Sequence, residues 1–132
     1  MREIKFRAWD ERRNEMEYEG FSITAEGIAY YTGNYREEMG GFKESDILMQ
    51  YTGLKDKNGR EIYEGDIFRF EDGSGLGVIF YSELLAAYMW HPTDHDETMS
   101  TLLPESEIME VVGNIYENGD LLNDKDNADS KG

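Results

Sequence analysis

The chain's best candidate for chemistry is the segment His91-Pro92-Thr93-Asp94-His95-Asp96-Glu97, which places two imidazoles and three carboxylates within seven residues. All are types that ligate zinc or another divalent ion, so His91, Asp94, His95 and Asp96 are the candidate metal ligands. Their spacing lacks the helical frame that sets two histidines on one face, and a solvated acidic loop accounts for the same residues. Asp56-Lys57-Asn58-Gly59 has a superficial likeness to a calcium loop. An EF-hand, however, needs Gly at its sixth position and a bidentate Glu at its twelfth, where this chain has Gly59 fourth and Ile67 twelfth. The glycine-rich Gly73-Ser74-Gly75-Leu76-Gly77 has no Lys-Ser/Thr pair and precedes a strand pattern where a phosphate loop requires a helix. There is no Gly-x-Ser-x-Gly elbow, and both histidines fall in one polar loop, so a Ser-His-Asp arrangement has little to draw on. A carboxylate pair could come from almost any two of 29 acids and has no specificity. No catalytic and no cofactor-binding residues emerge, no cofactor is expected, and the chain leans away from enzymes.

The elements that would position these groups read as strands. At 132 residues the chain has the length of one domain. Aromatic residues form 13% of it, Tyr commonest, which suits half-buried pleated surfaces better than helical stripes. Ile4, Phe6 and Ala8 alternate with Lys5, Arg7 and Trp9, which predicts a half-buried strand ending near Asp10, followed by a polar turn over 10–15. Phe21-Ser22-Ile23-Thr24 and residues 28–31 predict a hairpin around Ala25-Glu26-Gly27. A polar loop follows at 35–41, then a capped turn at Ser45-Asp46 before a strand at Leu48-Met49-Gln50-Tyr51.

Asp56-Lys57-Asn58-Gly59 is a strong turn signal, because Asn and Gly tolerate the positive φ of tight connections, so residues 61–70 should pair nearby. Gly77-Val78-Ile79-Phe80-Tyr81 is an apolar strand after the glycine-rich turn. In residues 82–90, Leu84, Leu85 and Tyr88 fit one helical face, but a turn followed by a strand is preferred. Residues 91–101 should be an exposed loop, and 111–116 the last core strand. Tyr30, Tyr31, Tyr51, Tyr63, Tyr81 and Tyr88 are better explained by cross-strand packing than by base stacking, since no basic residues interleave them. The tail 123–132 has Ala128 as its one apolar residue and is predicted disordered.

Thirteen basic against 29 acidic residues give a formal net charge of −16. Asp124, Asp126 and Asp129 against Lys125 and Lys131 make the tail only −1, so the acidity belongs to the folded body. Attraction to phosphate backbones is thereby disfavoured, although Arg2, Lys5, Arg7, Arg12, Arg13 and Arg36 are biased to the first third, where a local basic patch is conceivable. The absence of cysteine fits a reducing compartment, with cytoplasm as the default. The charged amino terminus and a longest apolar run of only 84–90 argue against secretion and membrane insertion.

Three blocks carry a resemblance: Met1-Arg2-Glu3-Ile4-Lys5-Phe6-Arg7-Ala8-Trp9-Asp10, the run from Gln50-Tyr51-Thr52-Gly53-Leu54-Lys55-Asp56-Lys57-Asn58-Gly59 into Glu61-Ile62-Tyr63-Glu64-Gly65-Asp66-Ile67, and Val112-Gly113-Asn114-Ile115-Tyr116-Glu117-Asn118. In this order they resemble the YopX family of phage and prophage proteins, over residues 1–122. The resemblance implies a mainly β fold, all-β or β-rich α+β, of short antiparallel strands, acting in the host cytoplasm, with no established activity and no catalytic residues to carry over. A single YopX-like domain at 1–122, with lobes at 1–50 and 51–122 as a finer division, is expected. Tyr63-Glu64-Gly65-Asp66-Ile67-Phe68 is also similar to the opening hairpin of an SH3-like barrel in the second half, a likeness of fold that fixes no function.

The expected function is that of a non-enzymatic accessory protein working through contact with a host or phage protein of basic surface. A nucleic-acid-binding module is the alternative, and a metal-dependent enzyme using residues 91–97 the next. A homo-oligomer also fits a small β domain with apolar edges.

Overall fold

The computed structural model describes residues 3–11, 13–31, 47–73, 75–93, 100–101 and 108–123. The expected loop at 35–41, the capped turn at Ser45-Asp46 and the tail after Asn123 lie outside them. The described residues are mainly β, and their strands pair antiparallel. Their strands are β1 (Phe6–Asp10), β2 (Glu15–Glu17), β3 (Phe21–Ile23), β4 (Ala29–Tyr31), β5 (Ile47–Lys55), β6 (Glu61–Tyr63), β7 (Asp66–Phe70), β8 (Leu76–Ser82), β9 (Ala87–Pro92), β10 (Ser100–Thr101) and β11 (Met109–Asn114). A short 3₁₀ helix follows at Gly119–Asn123. The chain forms two units, Ile4–Gln50 and a second beginning at Tyr51.

In the first unit β1 lies between β2 and the start of β5, with Phe6 opposite Gln50 and Ala8 opposite Glu17. The alternation in β1 predicts a half-buried strand, but Arg7, Ala8, Trp9 and Asp10 are all buried. Successive side chains point to opposite faces, so both faces of β1 are shielded, and the charge on Arg7 is not at the surface. The β1–β2 loop turns on Asp10, whose Oδ1 accepts from the Arg13 N–H at 3.2 Å, and on Asn14 at φ 57°. The β3–β4 hairpin falls where the sequence puts it. There the Thr24 N–H donates to Ile28 O at 2.9 Å, Gly27 N–H to Thr24 O at 2.9 Å, and Ile28 N–H to Thr24 Oγ1 at 3.2 Å.

The second unit contains a sheet in the order β10-β9-β8-β7-β11 and the pairing of β6 with the latter part of β5. Its core is Ile62, Phe68, Ile79, Met109 and Val111, with Leu54, Phe70, Tyr88 and Trp90 packed against it. Phe68, Phe70 and Trp90 meet edge to face with centroids 5.0 to 5.5 Å apart, the arrangement that ring quadrupoles favour. Tyr51 pairs with Tyr63, and Tyr81 with Tyr88, in agreement with the packing reading of the tyrosines.

Three boundaries differ from the sequence reading, the first being β10, whose Ser100 and Thr101 fall inside the expected loop at 91–101 and pair with Trp90 and Met89. Residues 91–101 were expected in a loop, yet His91 and Pro92 continue β9, opposite Val78 and Gly77. Pro can end a strand because its missing N–H is not needed there, and the His91 ring gains a partner in Phe80, 5.4 Å away across the strands. The last strand begins at Met109, not at 111, and ends at Asn114, because the Asn114 side chain accepts from the amides of Tyr116 and Glu117 and turns the chain.

At Gly77 the core dictates the residue. A Cβ there would stand 2.5 Å from Cζ of the fully buried Phe68 and 3.2 Å from His91 O. Gly77→Ala should therefore lower unfolding free energy by about 1–3 kcal/mol, read from the urea midpoint at unchanged slope. A neutral result would mean that Phe68 is free to move aside, contrary to its place in the core.

Candidate functional site

The buried polar side chains of the second unit include Asp56, Asp66 and Asn114, from the second and third of the blocks that carry the family signature, and their hydrogen bonds gather around β11. Asp56 is 6% exposed. Its Oδ1 accepts from the N–H groups of Asn58 and Arg60, both at 2.9 Å, while Oδ2 accepts from the Val111 N–H at 2.9 Å, 55 residues away. The turn closes with Asp56 N–H to Arg60 O at 2.8 Å and Gly59 N–H to Asp56 O at 3.0 Å, with Gly59 at φ 83°. Lys57 N–H donates to Met109 O at 3.0 Å, and Arg60 Nη1 reaches Val111 O at 3.4 Å. These contacts occupy the Met109 and Val111 groups on the side of β11 away from β7, a side that a bare edge strand would leave open to pairing.

The neighbouring turn is built on the same economy of groups. Asp66, 2% exposed, accepts the Tyr63 N–H at 2.8 Å, which caps the Glu64-Gly65 turn. Gly65 N–H donates to Ile79 O at 2.9 Å and Ile115 N–H to Gly65 O at 2.9 Å, so this turn ties β8 to the end of β11. The third signature block closes the circuit. Asn114 Oδ1 accepts from the Tyr116 N–H at 3.0 Å and the Glu117 N–H at 2.8 Å, its Nδ2 donates to Glu117 Oε1 at 2.9 Å, and Asn118 Oδ1 accepts the Asn114 N–H at 3.1 Å. Gly113 carries no side chain because a Cβ would stand 2.4 Å from Asn118 Oδ1.

This arrangement binds backbone. The carboxylates of Asp56 and Asp66 face amide donors, the environment of a structural staple. Of the candidate metal ligands, His91 lies in β9 with Nδ1 3.0 Å from Pro92 O. A carbonyl only accepts, so Nδ1 is the donor in this contact. Asp94, His95 and Asp96 lie outside the described residues. Among the described residues no three His, Cys, Asp or Glu side chains group as metal ligands. No described helix is long and apolar enough to cross a membrane.

In the first unit Glu15 and Glu17 share one face of β2, with Arg13 Nε 3.8 Å from Glu15 Oε2. Burial pushes the Glu17 carboxyl above the ordinary glutamate range, aided by a hydrogen bond to Glu15 and by the charge of Glu15 and Asp10, with Arg13 opposing.

A mainly antiparallel chain whose hairpin turns are pinned to its last strand by buried Asp and Asn side chains defines a class of small β protein. Residues 5–123 match the family model described as YopX protein, and the chain belongs to that family. The crystal structure of protein EF1440 from Enterococcus faecalis is similar at TM-score 0.60 and 25% identity, over 92% of this chain and 99% of that one. The crystal structure of protein yopX from Bacillus subtilis is similar at TM-score 0.49 and 17% identity, over 89% of this chain and 96% of that one. No curated protein matches the chain.

Asp56→Asn keeps the side chain's size but sets an NH₂ against amide donors. It should cost about 2–3 kcal/mol in chemical denaturation and speed exchange of the Val111 amide selectively, and unchanged Val111 protection would contradict the staple. For Glu17 the raised folded value means that the fold favours the protonated acid. Its contribution is lost as pH rises from the ordinary glutamate range through the raised value. Glu17→Gln should accordingly raise Tm at pH 7 and leave it unchanged at a pH below both values, as a pH series of thermal melts would report.

Proposed function

We propose that this chain is a non-enzymatic accessory protein of a bacteriophage or prophage, acting in the bacterial cytoplasm by binding a protein with a basic surface. The observation that carries this reading is the direction of its polar groups. Asp56, Asp66 and Asn114 of the signature are buried and engaged with backbone, so they hold the fold. What remains for a partner is the outer surface of a chain with net charge −16, and its sign favours a positively charged partner and accelerates encounter with it.

The nucleic-acid alternative loses support from the same observations. Arg7 is 3% exposed, and Arg13 lies beside Glu15, so two of the six basic residues in the first third have little charge to offer phosphates.

Passing lysate of the host bacterium over the immobilised chain, with and without nuclease, tests the reading, with bound proteins identified by mass spectrometry. A basic protein should survive nuclease and be released as salt rises from about 0.1 to about 0.5 M, where charge attraction is screened. Recovery of nucleic acid in place of protein, or binding indifferent to salt, would overturn it. Light scattering on the purified chain tests for a homo-oligomer joined at strand edges, against which the net charge of −16 works.

A further inference from the structure

The β8–β9 hairpin differs from three other described turns. Thr24-Ala25-Glu26-Gly27, Asp56-Lys57-Asn58-Gly59 and Glu71-Asp72-Gly73 are polar, and each places Gly at positive φ. The β8–β9 connection is Glu83-Leu84-Leu85-Ala86, with Ala86 itself at φ 51°. Leu84 is 92% exposed, Leu85 56% and the adjoining Tyr81 42%. Single exposed apolar residues are ordinary, but here the turn geometry calls for Gly or Asn at 86 and for polar residues at 84 and 85, and the chain has none of them.

The tip is also pre-ordered. Ser82 pairs with Ala87 and Tyr81 with Tyr88, whose rings meet 5.2 Å apart, and Ser82 Oγ accepts the Leu85 N–H at 3.1 Å. A rigid apolar projection binds with little loss of conformational freedom, which is the character of an interface anchor.

We propose that Leu84 and Leu85, flanked by Tyr81, are the anchor that enters an apolar socket rimmed by Lys or Arg on a partner protein. This deepens the reading given above and rests on it. Charge selects the occupant. Glu83 adjoins the leucines in a chain of net charge −16, so a basic rim is attracted, while a second copy of this chain or an anionic lipid surface is repelled.

The test places the photo-reactive residue p-benzoylphenylalanine at position 84 and, in separate preparations, at Tyr18 and Asp120, both exposed. Each full-length protein is irradiated in host lysate, and the cross-linked peptides are sequenced. The expected result is a position-84 cross-link to one protein, at apolar residues bordered by Lys or Arg, competed by unlabelled chain. That protein, purified, should bind Leu84→Asp and Leu85→Asp about ten- to a hundredfold more weakly than the parent, while both variants keep the parent's urea midpoint. Capture from position 18 or 120, with affinity unchanged in Leu84→Asp, would overturn the anchor and leave the protein-contact reading standing. Cross-links to lipid or to a second copy would also overturn the anchor, and capture from none of the three positions would overturn both.

Discussion

The second unit depends on one carboxylate having two oxygens. The turns at Thr24 and Asp56 have the same backbone hydrogen bonds: residue i donates to the carbonyl of i+4, and Gly at i+3 donates back to residue i. In both, the side chain of residue i accepts the N–H of residue i+4. A hydroxyl has one oxygen and its reach ends there. Asp56 has a second, and this oxygen takes the Val111 N–H, turning a local hairpin device into a join between chain segments 55 residues apart. Once the turn is fixed at β11, Lys57 and Arg60 reach Met109 O and Val111 O, and the open side of the last strand is closed. A buried carboxylate is tolerated only when its lone pairs are met, and three amide donors meet these.

Everything nearby follows from that closure. With β11 held on one side by β7 and on the other by the Asp56 turn, Met109 and Val111 are fixed among Ile62, Phe68 and Ile79. The Glu64-Gly65 turn and the Asn114 circuit bracket the other end of the strand, so both ends of β11 are held by hydrogen bonds made from turns. Glycine appears where the clamp leaves no room, at 113 against Asn118 and at 77 against Phe68.

Much of this was legible as punctuation. Asp56-Lys57-Asn58-Gly59, Ala25-Glu26-Gly27 and Gly73-Ser74-Gly75 mark turns by residue type alone, because positive φ and short polar side chains are local requirements. What residue order could not disclose was reach. No periodicity links Asp56 to Val111, and alternation in β1 could not reveal that Arg7 and Asp10 are buried with their apolar neighbours, since shielding of the second face comes from outside the strand. The same blindness affects the 82–90 segment. Leucines at 84 and 85 score as apolar whether they enter a core or project from a turn, and only the positions of β8 and β9 show that they project. The boundary at His91 shows the same limit. Residue types put it in a polar loop, whereas pairing with Val78 and contact with Phe80 place it in β9.

The division between buried signature and exposed surface explains why family membership conveys a fold without a task. The EF1440 protein has a TM-score of 0.60 to this chain at 25% identity, so most aligned positions differ while the backbone path persists. In this chain the clamps at 56, 66 and 114 with the crowded glycines hold turns, register and the edge of β11. They draw on backbone groups, which leaves the outer surface to strong negative charge and, among the described residues, to the apolar tip at 84 and 85. Neither stabilises the fold, since dense like charge opposes compaction and an exposed leucine gains nothing from burial. Features that cost or leave unimproved the stability of a domain are the ones that an account of its function has to explain.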